Sequence, residues 1–328
     1  MPRKQSDNGE DMTKLAPIIL FVYKRPELTK QVLESLSKDH LAKESELYIF
    51  SDGPKRETDE EGVEKVRTYL AEGLEEDGLL TRSFARVELR KAEKNRGLAN
   101  SIISGVTEII EKYGKIIVLE DDLVFDQGYL EYMNGALDFY QDNPRIFSIT
   151  GYSDSMLSLR FYPHDVWMGY RGCSWGWGTW VDRWKQVDFS LPDFQRRNQD
   201  KQWIKKFNRG GGDMIGMLRM QQEGILDSWA IRWNVAQTDA DQITVFPKHS
   251  YIHNEGNDGT GTNEGTGKIT NMAFVDNRHK CHFENLDIHP ILAKEYYLLK
   301  TDTLPKKIKR NLKVLLVERR LPNCFKRN

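Results

Sequence analysis

The sequence predicts an α/β protein built on a mostly parallel, Rossmann-like sheet flanked by helices. Three observations lead there. Short unbroken apolar runs read as strands buried on both faces, amphipathic stretches separate them, and polar or charged residues follow each run directly. Strand–helix alternation of this kind gives a parallel sheet with helices on both faces. The ligand crevice of such a sheet lies beyond the carboxyl ends of its strands.

Ala16–Tyr23 (APIILFVY) is the first strand. Glu27–Lys38 is a helix, with Leu28, Val32 and Leu36 at helical spacing and Pro26 in its first turn. Leu47–Phe50 is a second strand, closed by the turn Ser51-Asp52-Gly53-Pro54. A polar helix over about 58–76 precedes a third strand at Arg86–Leu89. Leu98–Tyr113 is amphipathic, with Leu98, Ile102, Val106, Ile109, Ile110 and Tyr113 on one face. Lys115–Leu119 is a fourth buried strand running straight into Glu120-Asp121-Asp122.

From about 145 the alternation fades, and all eight tryptophans lie beyond it. This half reads as an irregular, Trp-rich region fused to the sheet. The expected organisation is a disordered lead-in over 1–14, two halves of one domain over 15–150 and 151–300, and a basic amphipathic tail over 301–328. A Gly-rich polar stretch covers 254–267, and its part over 256–267 reads either as a lid over a bound ligand or as a flexible connector.

Composition is that of a globular protein with a core, at 39% hydrophobic and 30% charged residues. A net charge of −1 gives no global field for nucleic acid. Residues 306–328 carry nine Lys or Arg and one Glu, so the rest of the chain is net acidic. Ile308, Leu312, Leu315 and Leu316 recur at helical spacing in that tail. It reads equally as a binder of membrane surfaces or as a terminal helix packed on the body. Cys173, Cys281 and Cys324 are sparse and far apart, which argues for a reducing compartment. No secretory signal or membrane-spanning run is visible, so a cytoplasmic protein is expected, peripheral at the inner membrane surface if the tail binds lipid.

Three acids in a row at the end of an apolar strand are costly to bury unpaired. They are either a solvated turn opening a helix or a site for Mg²⁺ or Mn²⁺, which one or two carboxylates hold together with substrate phosphates. The segment 118–133, VLEDDLVFDQGYLEYM, resembles the metal-site segment of GT-A glycosyltransferases of the N-acetylglucosaminyltransferase I type. The resemblance extends to Tyr23-Lys24-Arg25-Pro26, Ser51-Asp52-Gly53 and Asn95-Arg96-Gly97-Leu98, in the same order. It implies a GT-A fold, a Mn²⁺ or Mg²⁺ cofactor bound by Asp122, and Glu120 and Asp121 on the donor's ribose and sugar hydroxyls. It further implies Asp52 on the uracil N–H, Tyr23, Lys24 or Arg25 beside the nucleotide, and Arg96 near the ribose or diphosphate. The partners so implied are a UDP-sugar donor, bound by the half over 15–150, and a saccharide or lipid-linked saccharide acceptor, met by the acceptor and catalytic half over 151–300.

The second half is similar to bacterial sugar transferases in Arg171–Trp180 (RGCSWGWGTW), Asp227–Trp233 (DSWAIRW) and His253-Asn254-Glu255-Gly256. In the animal enzymes a Tyr-Arg-Thr-Asp segment holds the catalytic base, and the aligned position here is Cys173. Asp227 is the replacement candidate, with the competing reading of a cap on a helix over 228–237. Asp182 and Asp165 are weaker alternatives. Trp175, Gly176 and Trp177 are expected either as a wall for the sugars or as core. His253 is a further metal or diphosphate ligand or a structural histidine. Two other functions compete with metal-dependent, inverting glycosyl transfer. A sugar-nucleotide nucleotidyltransferase would carry a Gly-rich loop after the first strand, where Tyr23-Lys24-Arg25-Pro26 stands. A non-catalytic carbohydrate-binding protein would leave the acidic triplet without a purpose.

Overall fold

The computed structural model describes residues 14–256 and 280–303. The expected lead-in up to residue 13, most of the Gly-rich stretch, the basic tail and Cys324 lie outside the described residues.

The first half alternates as expected. It runs β1 (Ile18–Val22), α1 (Pro26–Leu36), β2 (Glu46–Ser51), α2 (Glu60–Gly73), α3 (Leu79–Ser83), β3 (Arg86–Lys91), α4 (Leu98–Tyr113) and β4 (Lys115–Glu120). Then follow β5 (Leu123–Phe125), α5 (Tyr129–Tyr140), β6 (Ile146–Thr150), β7 (Val166–Gly169), β8 (Trp177–Trp180), α6 (Val181–Trp184), α7 (Phe194–Gln199), α8 (Lys201–Phe207), α9 (Met214–Gln222) and α10 (Trp229–Asp239). β9 (Ile243–Pro247), β10 (Ile252–Asn254) and α11 (Pro290–Leu299) complete the order.

Eight strands form one sheet in the order β3-β2-β1-β4-β8-β6-β9-β7. β3, β2, β1 and β4 are parallel, β8 is antiparallel to both β4 and β6, β9 is parallel to β6, and β7 is antiparallel to β9. The sheet is therefore mostly parallel. β5 and β10 pair as a separate two-stranded ribbon.

The unbroken apolar runs have a simple cause: both faces of the sheet are covered. In β1, Ile18, Leu20 and Val22 join the core shared with α1, α2 and α5, while Ile19 and Phe21 join the core under α4. β4 divides the same way, with Ile117 and Leu119 on one face and Ile116 and Val118 on the other.

The Trp-rich half is more regular than the sequence suggests, because Trp177–Trp180 is an inner strand of the sheet. Trp177 packs with Trp184, Trp229 and Trp233 on one face, and Trp180 lies in the core on the other. Gly178 makes this possible: a Cβ there would stand 2.8 Å from the Ile116 carbonyl and 3.1 Å from Met133 of α5. The glycines among these tryptophans let a helix and a neighbouring strand approach, not a ligand. Gly176 adds a positive φ of 50°, and a Cβ on it would collide with the Ile252 methyl and the Tyr129 hydroxyl. Gly176→Ala is expected to cost about 1–3 kcal/mol, read as a lower urea midpoint at unchanged slope.

One buried carboxylate ties the turn after α1 to the start of α5. Asp39 accepts the backbone N–H of Leu41 and of Leu130, each at 2.9 Å. Burial pushes its pKa from 3.8 up to about 6, against the pull of those two hydrogen bonds. The folded state then holds the proton more tightly than the unfolded chain. The stabilisation is complete below about pH 4 and is lost as pH rises through about 6, a swing of about 2–3 kcal/mol. Urea titrations between those values should show wild type losing stability relative to Asp39→Asn as pH rises. A constant difference would remove Asp39 as the source.

Candidate active site

The carboxyl ends of β1, β2 and β4 open onto one cavity of about 610 Å³. Its other side is built by the segment leading into β8, the start of α10 and the end of α11.

On the first-half side Asp59 is a hub. It is 6% exposed and accepts from the Tyr23 hydroxyl at 3.0 Å and from Lys24 Nζ at 2.5 Å. The Tyr23 hydroxyl in turn accepts the Lys55 backbone N–H at 3.0 Å. Lys55 and Arg56 also line the cavity. Arg67 ties the strand ends behind them, donating to Ser51 Oγ at 3.2 Å and to the Ala92 carbonyl at 2.7 Å.

Asp52 lines the cavity, with its carboxylate turned toward backbone. It accepts the N–H groups of Gly53 at 2.9 Å, Arg96 at 2.9 Å and Gly97 at 3.1 Å, so it fixes the turn that starts α4. Arg96 contributes its backbone to this arrangement; its side chain is exposed and outside the cavity lining. The expectation of that guanidinium beside the ribose or diphosphate is therefore not met in this conformation.

Glu120, Asp121 and Asp122 all line the cavity, and the last two are buried. Arg25, from the end of β1, bridges them: its Nη2 pairs with Asp121 Oδ1 and reaches Asp122 Oδ2 at 2.9 Å. Burial opposes the Arg25 charge, but attraction first to Asp121 and then to Asp122 outweighs it and holds the guanidinium above its ordinary pKa. Asp122 is pushed up by burial, and the Asp121 charge adds to that against the pull of Arg25. One guanidinium thus serves two carboxylates. Arg25 Nη1 is buried with no hydrogen-bond partner among the described residues. Gly256 packs against Asp122: its backbone leaves no room for a Cβ beside the Asp122 carboxylate, and the Glu255 N–H donates to the Asp122 carbonyl at 2.8 Å.

Among the described residues, no group of three or more His, Cys, Asp or Glu is arranged to hold a metal ion. Two adjacent carboxylates with one cation between them still fit Mg²⁺ or Mn²⁺ of the kind completed by phosphate and water oxygens. His253 is not part of that set. It lies on β10 opposite Val124, outside the cavity lining, and its electrostatic neighbour is Asp126. Strand alternation carries its ring away from the face of Leu123 and Asn254.

On the second-half side, Trp175 lines the cavity with its ring 4.5 Å from that of Tyr152, edge to face. Trp177 does not share this wall. It is 1% exposed and belongs to the core, as does the Gly176 turn that separates the two rings. Cys173 lines the cavity, and burial pushes its thiol pKa up, so it is protonated and unfit as a base at neutral pH.

Asp227 lines the cavity just before α10, and the cap on that helix is Ser228, whose hydroxyl accepts the Ile231 N–H at 3.3 Å. Asp227 is not the cap. It approaches Arg232 Nη2 at 3.4 Å. Asp182 and Asp165 are both outside the cavity lining; Asp182 pairs with Arg183, and Asp165 accepts the His282 N–H at 2.9 Å.

Sequence reasoning missed Asp59, Lys55, Arg56 and Asn234. Lys55 and Arg56 carry a visible signal, two cations directly after a strand-closing turn. Asn234 carries none: it accepts the Gly172 N–H at 2.8 Å and so positions the Arg171–Trp175 segment from α10. Asp59 has no local signal, because only the tertiary placement of α2 brings it under Tyr23.

No protein-family model matches the chain, and no curated protein matches it. Among solved structures, TarS of S. aureus aligns with 41% of this chain and 21% of its own, at 13% identity and a TM-score of 0.27. This chain thus spans about a fifth of that one, and so partial a match carries no argument about function.

Proposed function

We propose that the protein is a metal-dependent glycosyltransferase of the inverting type, moving a sugar from a nucleoside diphosphate, UDP by the resemblance at Asp52, to a hydroxyl acceptor. The observation that carries this reading is the buried Asp121–Asp122 pair sharing Arg25 at the end of β4, with Arg25 Nη1 unpartnered. Two carboxylates, one cation and an unused N–H donor suit a diphosphate accompanied by a divalent ion.

Asp122, with Asp121 beside it, would hold Mg²⁺ or Mn²⁺, which when bound supplies Lewis acidity to the departing diphosphate. Arg25 donates to a phosphate oxygen through Nη1. Lys24, Lys55 and Arg56 add positive charge on the nucleotide side of the cavity. Trp175 and Tyr152 offer aromatic faces to the sugars, and Asn234 holds that segment in place. Asp227, among the described residues the one carboxylate lining the cavity's second-half side, takes the proton of the acceptor hydroxyl. The acceptor oxygen then bonds to the anomeric carbon as the bond from that carbon to the diphosphate oxygen breaks, and the nucleoside diphosphate leaves.

Calorimetric titration of UDP into the protein with Mn²⁺ and with EDTA tests the reading, together with release of UDP from UDP-sugars under the same two conditions. Binding and release that need the ion support it. Equal binding in EDTA, or a crystal soak placing UDP away from Asp52 and Asp122, refutes it.

A further inference from the structure

Water-exposed apolar side chains are concentrated on two adjoining elements of the fold. Among the described residues seven large hydrophobic side chains are exposed, and six of them are Leu157, Phe161, Ile291, Tyr297, Leu298 and Leu299. All six belong to α11 or to the 3-10 turn Leu157–Phe161. Phe161 is 85% exposed, Leu157 64%, Ile291 62% and Leu298 61%.

Glu295 joins the two elements. Its carboxylate accepts the N–H groups of Leu157 at 2.7 Å and Ser158 at 2.9 Å, and the Ser158 hydroxyl as well. Ile291 and Leu298 stand one turn to either side of Glu295 on the same helix face, so they form one patch with the turn. The acid within the patch is thereby spent on backbone, whereas Arg160 and Lys294 are exposed beside it. The sequence that follows α11 carries nine Lys or Arg and one Glu over 306–328. The inner face of the same helix supplies Leu292 to the core and Tyr296 to the second-half end of the cavity, and Lys300 follows directly.

We propose that this face is a docking surface for an anionic lipid bilayer, and that docking holds the acceptor end of the cavity at the lipid surface. Apolar side chains flanked by Arg160 and Lys294, with a sequence net basic over 306–328 to follow, complement a bilayer interface with anionic headgroups, while a second copy docked through the same face would bring these cations against each other. Delivery of a lipid-linked acceptor rests on the transferase reading; docking itself does not.

The test is flotation of the full-length protein, without nucleotide or metal, on vesicles of phosphatidylcholine alone and of phosphatidylcholine with about 30% phosphatidylglycerol. The protein should float with the anionic vesicles and far less with the neutral ones. The double variant Phe161→Ser/Leu298→Ser should lower the partition coefficient about tenfold or more, with donor hydrolysis in solution unchanged. Failure of the wild type to float with anionic vesicles overturns the proposal. So does a double variant that floats like wild type, which moves the anchor elsewhere, or a wild-type dimer in sedimentation velocity that the variant dissolves without any vesicle binding. A wrong transferase reading would show instead as no ion-dependent donor hydrolysis, with flotation intact.

Discussion

Replacing Asp122 by Ala is expected to lower sugar transfer by about 10³-fold or more, roughly 4 kcal/mol of transition-state stabilisation. The carboxylate is 6% exposed at the end of β4, beside Asp121 and within 2.9 Å of Arg25. In the proposed mechanism its removal would leave one acid for both the guanidinium and the ion, and so misplace the charge meant for the diphosphate. The same change should leave folding nearly intact, because Asp122 is already disfavoured as an anion by burial and by Asp121. Single-turnover transfer and thermal unfolding, measured on the same preparation, separate the two effects. Turnover near wild type in the folded variant would mean that the ion is held elsewhere or is not needed.

Asp227→Asn is the second large effect. An amide keeps the shape but cannot take a proton, and loss of a general base costs about 10²–10⁴-fold in kcat. The side chain is 62% exposed and its Arg232 contact is long, at 3.4 Å, so stability should change by no more than about 0.5 kcal/mol. UDP affinity should be unchanged, since the proposed nucleotide side of the cavity is built from β1, β2 and β4. The decisive comparison is kcat against UDP affinity. A fall in both would make Asp227 a structural or donor-binding residue, and an unchanged kcat would pass the proton to another group.

How much of this was legible in the sequence depended on whether burial left a local pattern. β1 and β4 were plain, because helices on both sides of the sheet demand apolar residues without alternation. The acid pair was plain because it ends such a run. β8 was not: its glycine fits Met133 and Ile116, partners far away in the chain, and leaves no periodicity. Trp175 and Trp177 looked equivalent, yet the positive φ of Gly176 turns the chain between them, so one ring meets the cavity and the other the core. Ser228 rather than Asp227 caps α10, a shift of one residue that patterns seldom resolve. The side chain of Arg96 and the ring of His253 were placed by motif order alone, and order says nothing about which way a side chain leaves the backbone.

The antiparallel course of β8 has an evolutionary consequence. Because that strand runs against β4, its entry, not its exit, meets the rim where β1, β2 and β4 end. In the reaction proposed above, the loops that meet the leaving nucleotide and those that meet the incoming hydroxyl would thus be carried on separate, oppositely directed connections. Each set can drift without disturbing the other. Specificity changes engineered on the two sides should combine additively in free energy where the altered residues do not touch, so a new donor and a new acceptor are reachable by independent selection.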